Sequence, residues 1–351
     1  MITLLEEKRI NTVKKAFVTR GVPCSDIRIL SNQQHPKAGD VLVAQVVAIG
    51  KQKTIELTTG RKSTLHVGDE IIVAYGNRYA PDQYEAEIPE DLSECDLVAV
   101  GGIASRALTW STKVGPPTRI RPIGILAGKD NKPLNLANYA IPNSQRSSVC
   151  PPVIAVVGSS MNSGKTTTAV NLVRGLVRLG HKVGFAKITG TGSGGDLWKM
   201  RDAGASVALD FTDAGLATTF KAPIDQLEKS ALSLTNYLAK EGCTTIIIEI
   251  ADGIYQQETS ALITNSGLRN MIDGYVYAAD GATGAAAGVQ WLRQHGLILG
   301  VSGVITASPL ASREAEAITG VTCYSSTALS EGDVIQGWLN SDILVKICKA
   351  Q

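Results

Sequence analysis

Residues 153–177 read VIAVVGSSMNSGKTTTAVNLVRGLV. The run from Val153 to Val157 is apolar and short, as a strand buried on both faces is, and the residues after Thr166 carry apolar side chains at helical spacing. Between them lies a loop of small residues ending in Gly164-Lys165-Thr166. Strand, small-residue loop and helix form the context in which such a triplet binds phosphate. Successive backbone N–H groups and the positive end of the helix must converge on one concavity, which bulky Cβ atoms would fill. The loop from Ser160 through Met161, Asn162 and Ser163 to Gly164 is therefore expected to cradle phosphates, together with Lys165, Thr166 and Thr167. Lys165 supplies positive charge and Thr166 a hydroxyl for magnesium. One position departs from the common pattern: five residues before Gly164 stands Ser159 instead of glycine, and Gly158 comes one place earlier.

Downstream, a rhythm of apolar strand, glycine turn and amphipathic helix repeats, with strands expected at 153–157, 182–187, 244–250, 273–278 and 298–305. That alternation implies an α/β fold, a parallel sheet with helices on both faces that binds ligands at the carboxyl ends of its strands. The second strand ends in Lys187 and runs into Thr189-Gly190-Thr191-Gly192-Ser193-Gly194-Gly195-Asp196. A lysine at a strand end, followed by a flexible hydroxyl-rich loop, suits an anionic group beside a γ-phosphate, and Asp196 adds a carboxylate for the metal. The strand at 244–250 delivers Glu249, with Asp252 just beyond it. Magnesium takes oxygen ligands and keeps several waters, so one such carboxylate serves it. Alternation places 249 and 252 on opposite faces if the strand stays extended, so only one of Glu249 and Asp252 is expected to face the ion; Glu249 is favoured, with Asp252 behind it or positioning water. The expected catalytic set is Lys165, Lys187, Glu249 and Asp252; the metal set is Thr166, Glu249 and Asp196. The strands ending at Lys187 and Glu249 are expected to flank the phosphate-loop strand. The substrate is then expected near the loops 187–196 and 252–258, the latter carrying Gln256, Gln257 and Glu258. The stretch 209–220 returns hydroxyls and acids whose role stays open, since Asp and Thr at helix starts also serve as caps.

Before residue 150 the pattern differs. Residues 4–22 show roughly helical spacing that stops at Gly21-Val-Pro23, predicting a leading helix. Short β-rich runs follow at 39–50, 54–58 and 68–76, as in a small barrel or sandwich, and Asp96 begins another strand before a glycine turn. Arg78, in the turn-rich stretch 76–84, is a candidate for an anionic contact. The Pro- and Asn-rich stretch from Pro116 to Pro152 reads as an extended connector. The domains are thus expected at 1–148, β-rich, and 149–351, α/β; a length of 351 residues suits two cores. A net charge of +2 gives no broad basic face, which argues against nucleic acid, and Lys51, Lys53, Arg61 and Lys62 read as a solvated hairpin. No apolar run reaches membrane-spanning length, and the acids and bases in MITLLEEKRINTVKKAF argue against a signal peptide. Six cysteines, including Cys150 and Cys348, are scattered with no C-x-x-C pair, which fits free thiols in a cytoplasm. The sequence leaves room for a homo-oligomer.

Over roughly 153–310 the chain resembles the branch of P-loop NTPases that includes dethiobiotin synthetase, the molybdopterin-guanine dinucleotide biosynthesis protein B group and a set described partly as D-glutamate N-acetyltransferases. The resemblance rests on GSSMNSGKTTT, on Lys187 with its Thr-Gly loop, and on Glu249; DFTDAGLATTF and Arg201-Asp-Ala-Gly-Ala are most similar to the third group. It implies ATP and Mg2+ as cofactors, with Lys165 and Thr166 on the phosphates, Lys187 on phosphate and substrate, and Glu249 on the metal. No Asn-Lys-x-Asp guanine signature follows the last strand, which favours ATP. The expected activity is γ-phosphoryl transfer to, or ligation of, a small anionic metabolite. A nucleotide-hydrolysing switch acting on a protein partner, and a coenzyme A-dependent N-acyltransferase, are the alternatives.

Overall fold

The computed structural model describes residues 2–5, 7–32, 35–142, 151–265 and 267–340. The chain divides into two compact units. One comprises Met1–Ile141, Thr191–Gly195 and Phe211–Lys221; the other comprises Pro142–Gly190, Asp196–Asp210 and Ala222–Gln351. The expected boundary at 148/149 lies outside the described residues, as do Cys150 and Cys348; Cys24, Cys95, Cys243 and Cys323 are free thiols. No helix among the described residues is long and apolar enough to cross a membrane.

In the N-terminal unit, β1 (Ile2–Leu4), helix α1 (Glu7–Thr12), β2 (Lys14–Lys15) and β3 (Ile29–Ser31) precede the longer strands β4 (Val41–Ala48) and β7 (Glu70–Tyr75). Between those two, β5 (Thr54–Glu56) and β6 (Lys62–Thr64) form a hairpin, with Lys51, Lys53, Arg61 and Lys62 exposed. Then come β8 (Arg78–Tyr79), β9 (Tyr84–Glu87), β10 (Cys95–Ala99), β11 (Ile103–Trp110) and β12 (Thr118–Ala127). The pairings β12–β4, β4–β7, β7–β11, β11–β10 and β10–β12 close on themselves, so five of these strands make a small barrel. Alternate residues fill it: Leu42, Ala44 and Val46 from β4, Ile71, Val73 and Tyr75 from β7, Cys95 and Leu97 from β10, Ile120 and Ile125 from β12.

Two expectations fail here. The leading helix covers only Glu7–Thr12, because Lys14 and Lys15 pair with Ile71 and Ile72 of the barrel and Phe17–Thr19 forms a buried 3-10 turn. Tertiary pairing overrides a weak helical period. The supposed connector contains the longest strand of the unit, β12, whose outward Arg119 and Arg121 alternate with buried Thr118 and Ile120. Its proline hid it. Pro122 stands where the β12–β4 register shifts, a place in a ladder where a missing N–H is tolerated.

The second unit holds β13 (Val153–Gly158), α2 (Lys165–Arg178), β14 (Val183–Lys187), α3 (Gly195–Asp202), β15 (Val207–Asp210), α4 (Ile224–Lys240), β16 (Thr245–Glu249), α5 (Gln257–Asn265), β17 (Gly274–Ala278), α6 (Ala282–Leu292), β18 (Ile298–Ser302), α7 (Pro309–Thr319), α8 (Ser326–Glu331) and α9 (Asp333–Asn340). Its six strands pair in parallel in the order β15-β14-β16-β13-β17-β18, flanked by helices. β13, β16 and β17 are buried at every position, as central strands covered on both faces are. β15 was not anticipated as a strand; Asp210 closes it. β16, not β14, neighbours β13, so Lys187 lies two strands from the phosphate loop with Glu249 between.

Candidate functional site

Gly158 ends β13, and the chain turns through Ser159–Ser163 into α2, whose first residue is Lys165. Asn162 (φ 72°) and Gly164 (φ 99°) adopt left-handed backbone, which a continuous helix could not supply. Three backbone bonds tie the loop to the carboxyl ends of β17, β16 and β18: Ser159 N–H donates to the Ala278 carbonyl (3.0 Å), Ile254 N–H to the Gly158 carbonyl (3.0 Å) and Val304 N–H to the Ser163 carbonyl (3.0 Å). The shifted glycine is explained by packing. A Cβ at Gly158 would overlap the Ser163 hydroxyl and come within 2.8 Å of the Ala278 carbonyl, so the loop needs its glycine at 158 and tolerates serine at 159. Gly158→Ala is expected to cost about 1–3 kcal/mol of stability through this overpacking, read as a lowered urea midpoint; an unchanged midpoint would show that the loop opens by another route.

Ser159 and Ser160 turn their hydroxyls to Asp280, just past β17, at 3.1 and 3.4 Å. Asp280 was missed in the sequence, although an acid directly after a buried strand and before a glycine is the signal that singled out Asp252. Lys165 is 6% exposed and donates to the Ser160 carbonyl at 2.7 Å. Burial lowers its pKa from the usual lysine value, against the pull of Glu249 and Asp252. Of the other loop residues, Ser163 is buried, Met161 half-buried, and Asn162 and Thr167 exposed.

Cross-strand register assembles the rest. Lys187 stands opposite Glu249 on one side and Asp210 on the other, and Glu249 stands opposite Val156 of the phosphate-loop strand. Glu249 is 1% exposed; its Oε1 accepts from the Thr166 hydroxyl at 3.3 Å and lies 3.8 Å from the Lys187 ammonium. Lys187 also pairs with Asp196 in the first turn of α3, and the Thr166 hydroxyl helps hold Asp196 ionised. Burial opposes the charge on Lys187, yet the carboxylates of Asp196 and Glu249 outweigh it and raise its pKa. Burial likewise opposes ionisation of Asp196, but Lys187 prevails and depresses it; at Glu249 burial prevails and pushes the carboxyl up, Lys187 opposing. Asp252 is half-buried and favours the charge on both Lys165 and Lys187. The strand stops at Glu249, so the alternation that would set 249 and 252 on opposite faces does not extend to Asp252.

The hydroxyl-rich loops are already engaged. Thr189 is buried and donates to the Ala251 carbonyl, as does Thr259. Gln256 caps α5 through its side-chain oxygen on Thr259 N–H (2.9 Å) and its amide reaches Glu258. Arg78 is buried in its own hairpin, bonded to Gln83 (2.8 Å) and lying over the Tyr84 ring.

For a cation, the fit is good at one corner. Glu249 Oε2 is buried and has no hydrogen-bond partner among the described residues, a costly state for a carboxylate that a hard cation relieves. No cluster of three or more His, Cys, Asp or Glu among the described residues forms a metal cage by itself, so Thr166, Glu249 and Asp196 suit an ion that also takes phosphate and water oxygens. The strand order places an acidic strand beside the strand that leads into the Ser159–Ser163 loop, in a parallel α/β sheet flanked by helices.

No family model matches the chain, and no curated protein matches it. Solved structures similar to it include signal recognition particle 54 kDa protein from Aeropyrum pernix K1 in complex with GDP, at 19% identity over 60% of this chain and 53% of that chain, TM-score 0.37. FtsY from Mycoplasma mycoides shows 12% identity over 56% and 70%, TM-score 0.37. The signal recognition particle receptor FtsY from Elizabethkingia anophelis in complex with GDP shows 17% over 57% of each, TM-score 0.31. The chain spans about half the length of the first of these.

Proposed function

We propose that the chain is a magnesium-dependent P-loop enzyme that uses ATP to phosphorylate, or to ligate, a small anionic metabolite, within the branch that includes dethiobiotin synthetase. The observation that carries this reading is the convergence of Thr166, Glu249, Asp196 and Lys187 beside the phosphate loop. Thr166 and Glu249 hold the ion, with Asp196 as a further carboxylate; bound there, magnesium neutralises charge on the β- and γ-phosphates. Lys165 leaves the Ser160 carbonyl for phosphate oxygens, an exchange of one charge-assisted hydrogen bond for another. Lys187 keeps its charge in this acidic setting and draws the acceptor's anionic group towards the transferred phosphoryl. Asp252 orders water or the acceptor next to the two ammoniums.

Calorimetry with ATP and with GTP, each with magnesium, followed by turnover assays with pooled carboxylate and phosphate acceptors, tests the reading. Turnover should depend on an acceptor; equal turnover with none would instead favour a hydrolytic switch, and binding without any turnover an acyltransferase. Lys187→Ala is expected to lower acceptor-dependent turnover about tenfold, the lower bound for losing a charged hydrogen bond, with ATP affinity within about twofold. Equal losses of both would move the acceptor elsewhere.

A further inference from the structure

We propose that the barrel of the N-terminal unit carries a small-molecule site of its own, for an anionic group attached to a flat ring, the chemistry shared by aromatic carboxylates and nucleoside monophosphates. The site is a cavity of about 480 Å³ walled by the end of β4, the starts of β10 and β12 and the second half of β11. Every residue that lines it belongs to that unit. Ligand pockets are concave, of this order of volume and largely apolar, with a few polar groups that fix orientation.

Its walls are preformed. Lys51 N–H donates to the Pro116 carbonyl (2.9 Å) and Gly50 N–H to the Thr118 hydroxyl (2.9 Å), which itself donates to the Gln52 carbonyl (2.7 Å). This close approach requires a glycine: a Cβ at Gly50 would come within 2.4 Å of the Pro116 and Pro117 carbonyls. The two prolines add fixed φ angles to the same wall. Between β10 and β11, Ala107 N–H donates to Asp96 Oδ2 at 2.9 Å. The ladders also shift register beside the cavity, between Ala107 and Thr109 where β11 meets β9 and between Arg119 and Ile120 where β12 meets β4. Such irregularities re-aim side chains and recur next to functional sites.

The chemistry of the lining selects the ligand. Trp110 and Ile49, 46% and 39% exposed, share the cavity with Pro116 and Pro117, and together they offer the apolar surface that a ring covers. Arg106 is exposed, and among the described residues no hydrogen bond or ion pair engages its guanidinium. Arg119 gives one N–H to Glu94 (2.9 Å) and Arg121 gives two (3.0 and 2.7 Å), so one carboxylate answers two guanidiniums. With Asp96, the local balance is Arg106, Arg119 and Arg121 against Glu94 and Asp96, which leaves positive charge over. An anion answers it. Arg106 and the remaining donors of Arg119 suit a carboxylate or phosphate, whose oxygens match a planar guanidinium fork.

Calorimetry on the full chain with indole-3-carboxylate and with adenosine monophosphate tests the site in wild type, Arg106→Ala, Trp110→Ala and Lys165→Ala, with circular dichroism as the check on folding. At least one probe should bind wild type with a Kd below about 1 mM. Arg106→Ala should weaken that binding about 10- to 100-fold, as loss of a charge-assisted hydrogen bond does, and Trp110→Ala about two- to tenfold, as loss of a ring contact does. Lys165→Ala should leave it unchanged. This pattern with the carboxylate alone identifies an aromatic acid as the ligand, and with the monophosphate alone a nucleotide; either supports the site. Four results overturn it: neither probe binding at millimolar concentration, affinity intact in both cavity variants, equal affinity for the uncharged indole-3-carboxamide, or monophosphate binding lost only in Lys165→Ala. Should Trp110→Ala not fold, Arg106→Ala decides by itself, since that side chain is exposed and its loss breaks no described hydrogen bond.

Discussion

Glu249→Gln is expected to lower metal-dependent turnover by about 100- to 1,000-fold, the range seen when one preorganised electrostatic contact to a transition state is removed. ATP affinity should change far less. The substitution keeps shape and keeps an oxygen for the Thr166 hydroxyl at 3.3 Å, but it removes the charge that a divalent ion requires and leaves Lys187 paired with Asp196 alone. Stability should move the other way. Burial raises the Glu249 pKa, so the folded chain holds that proton more tightly than the unfolded chain does. For a raised acid, stability is fullest below the ordinary glutamate range and declines as pH climbs from that range through the raised value. Glutamine removes the decline. Melting curves in chelator across that pH window should show the variant equal to wild type at the acid end and more stable towards neutrality. Turnover near wild type would sink the metal assignment, and turnover lost only in Asp252→Asn would transfer it to Asp252.

Lys165→Ala is expected to weaken ATP binding about 10- to 100-fold, as losing a charge-assisted contact of ~1.5–3 kcal/mol implies. The fold should survive, because the ammonium's described protein bond is to the Ser160 carbonyl of its own loop, and its removal relieves a buried charge whose pKa burial already lowers. Calorimetry with magnesium–ATP measures the loss, and far-ultraviolet circular dichroism checks the fold. Unchanged affinity in a folded variant would end the phosphate-loop reading. The contrast between the two variants is itself informative: one should lose binding and the other turnover, because Lys165 starts α2 while Glu249 ends the adjacent strand.

The α/β unit was legible because its elements are locally encoded. Val153–Gly158 is apolar throughout, Gly164-Lys165-Thr166 opens a helix after such a strand, and the strands at 183–187, 245–249 and 274–278 are short apolar runs bounded by turns. The placing of Lys187 and Glu249 at strand ends was equally readable. β12 and β15 were not legible: one is interrupted by Pro122 at a register shift, the other is only Val207–Asp210.

Sequence by itself determined the strand, small-residue loop and helix over 153–178 and the parallel strands that carry the charged residues, because strand, turn and helix signals are properties of a few neighbouring residues. Tertiary structure alone decided that β16 separates β14 from β13, that Lys187 faces Glu249 and Asp210 in register, and that Thr189 is spent on the Ala251 carbonyl. It also decided that Glu56, more than 130 positions away, holds Ser193 and Gly194. Register and long-range hydrogen bonds depend on which distant segments the hydrophobic core brings together, and no local period records that choice.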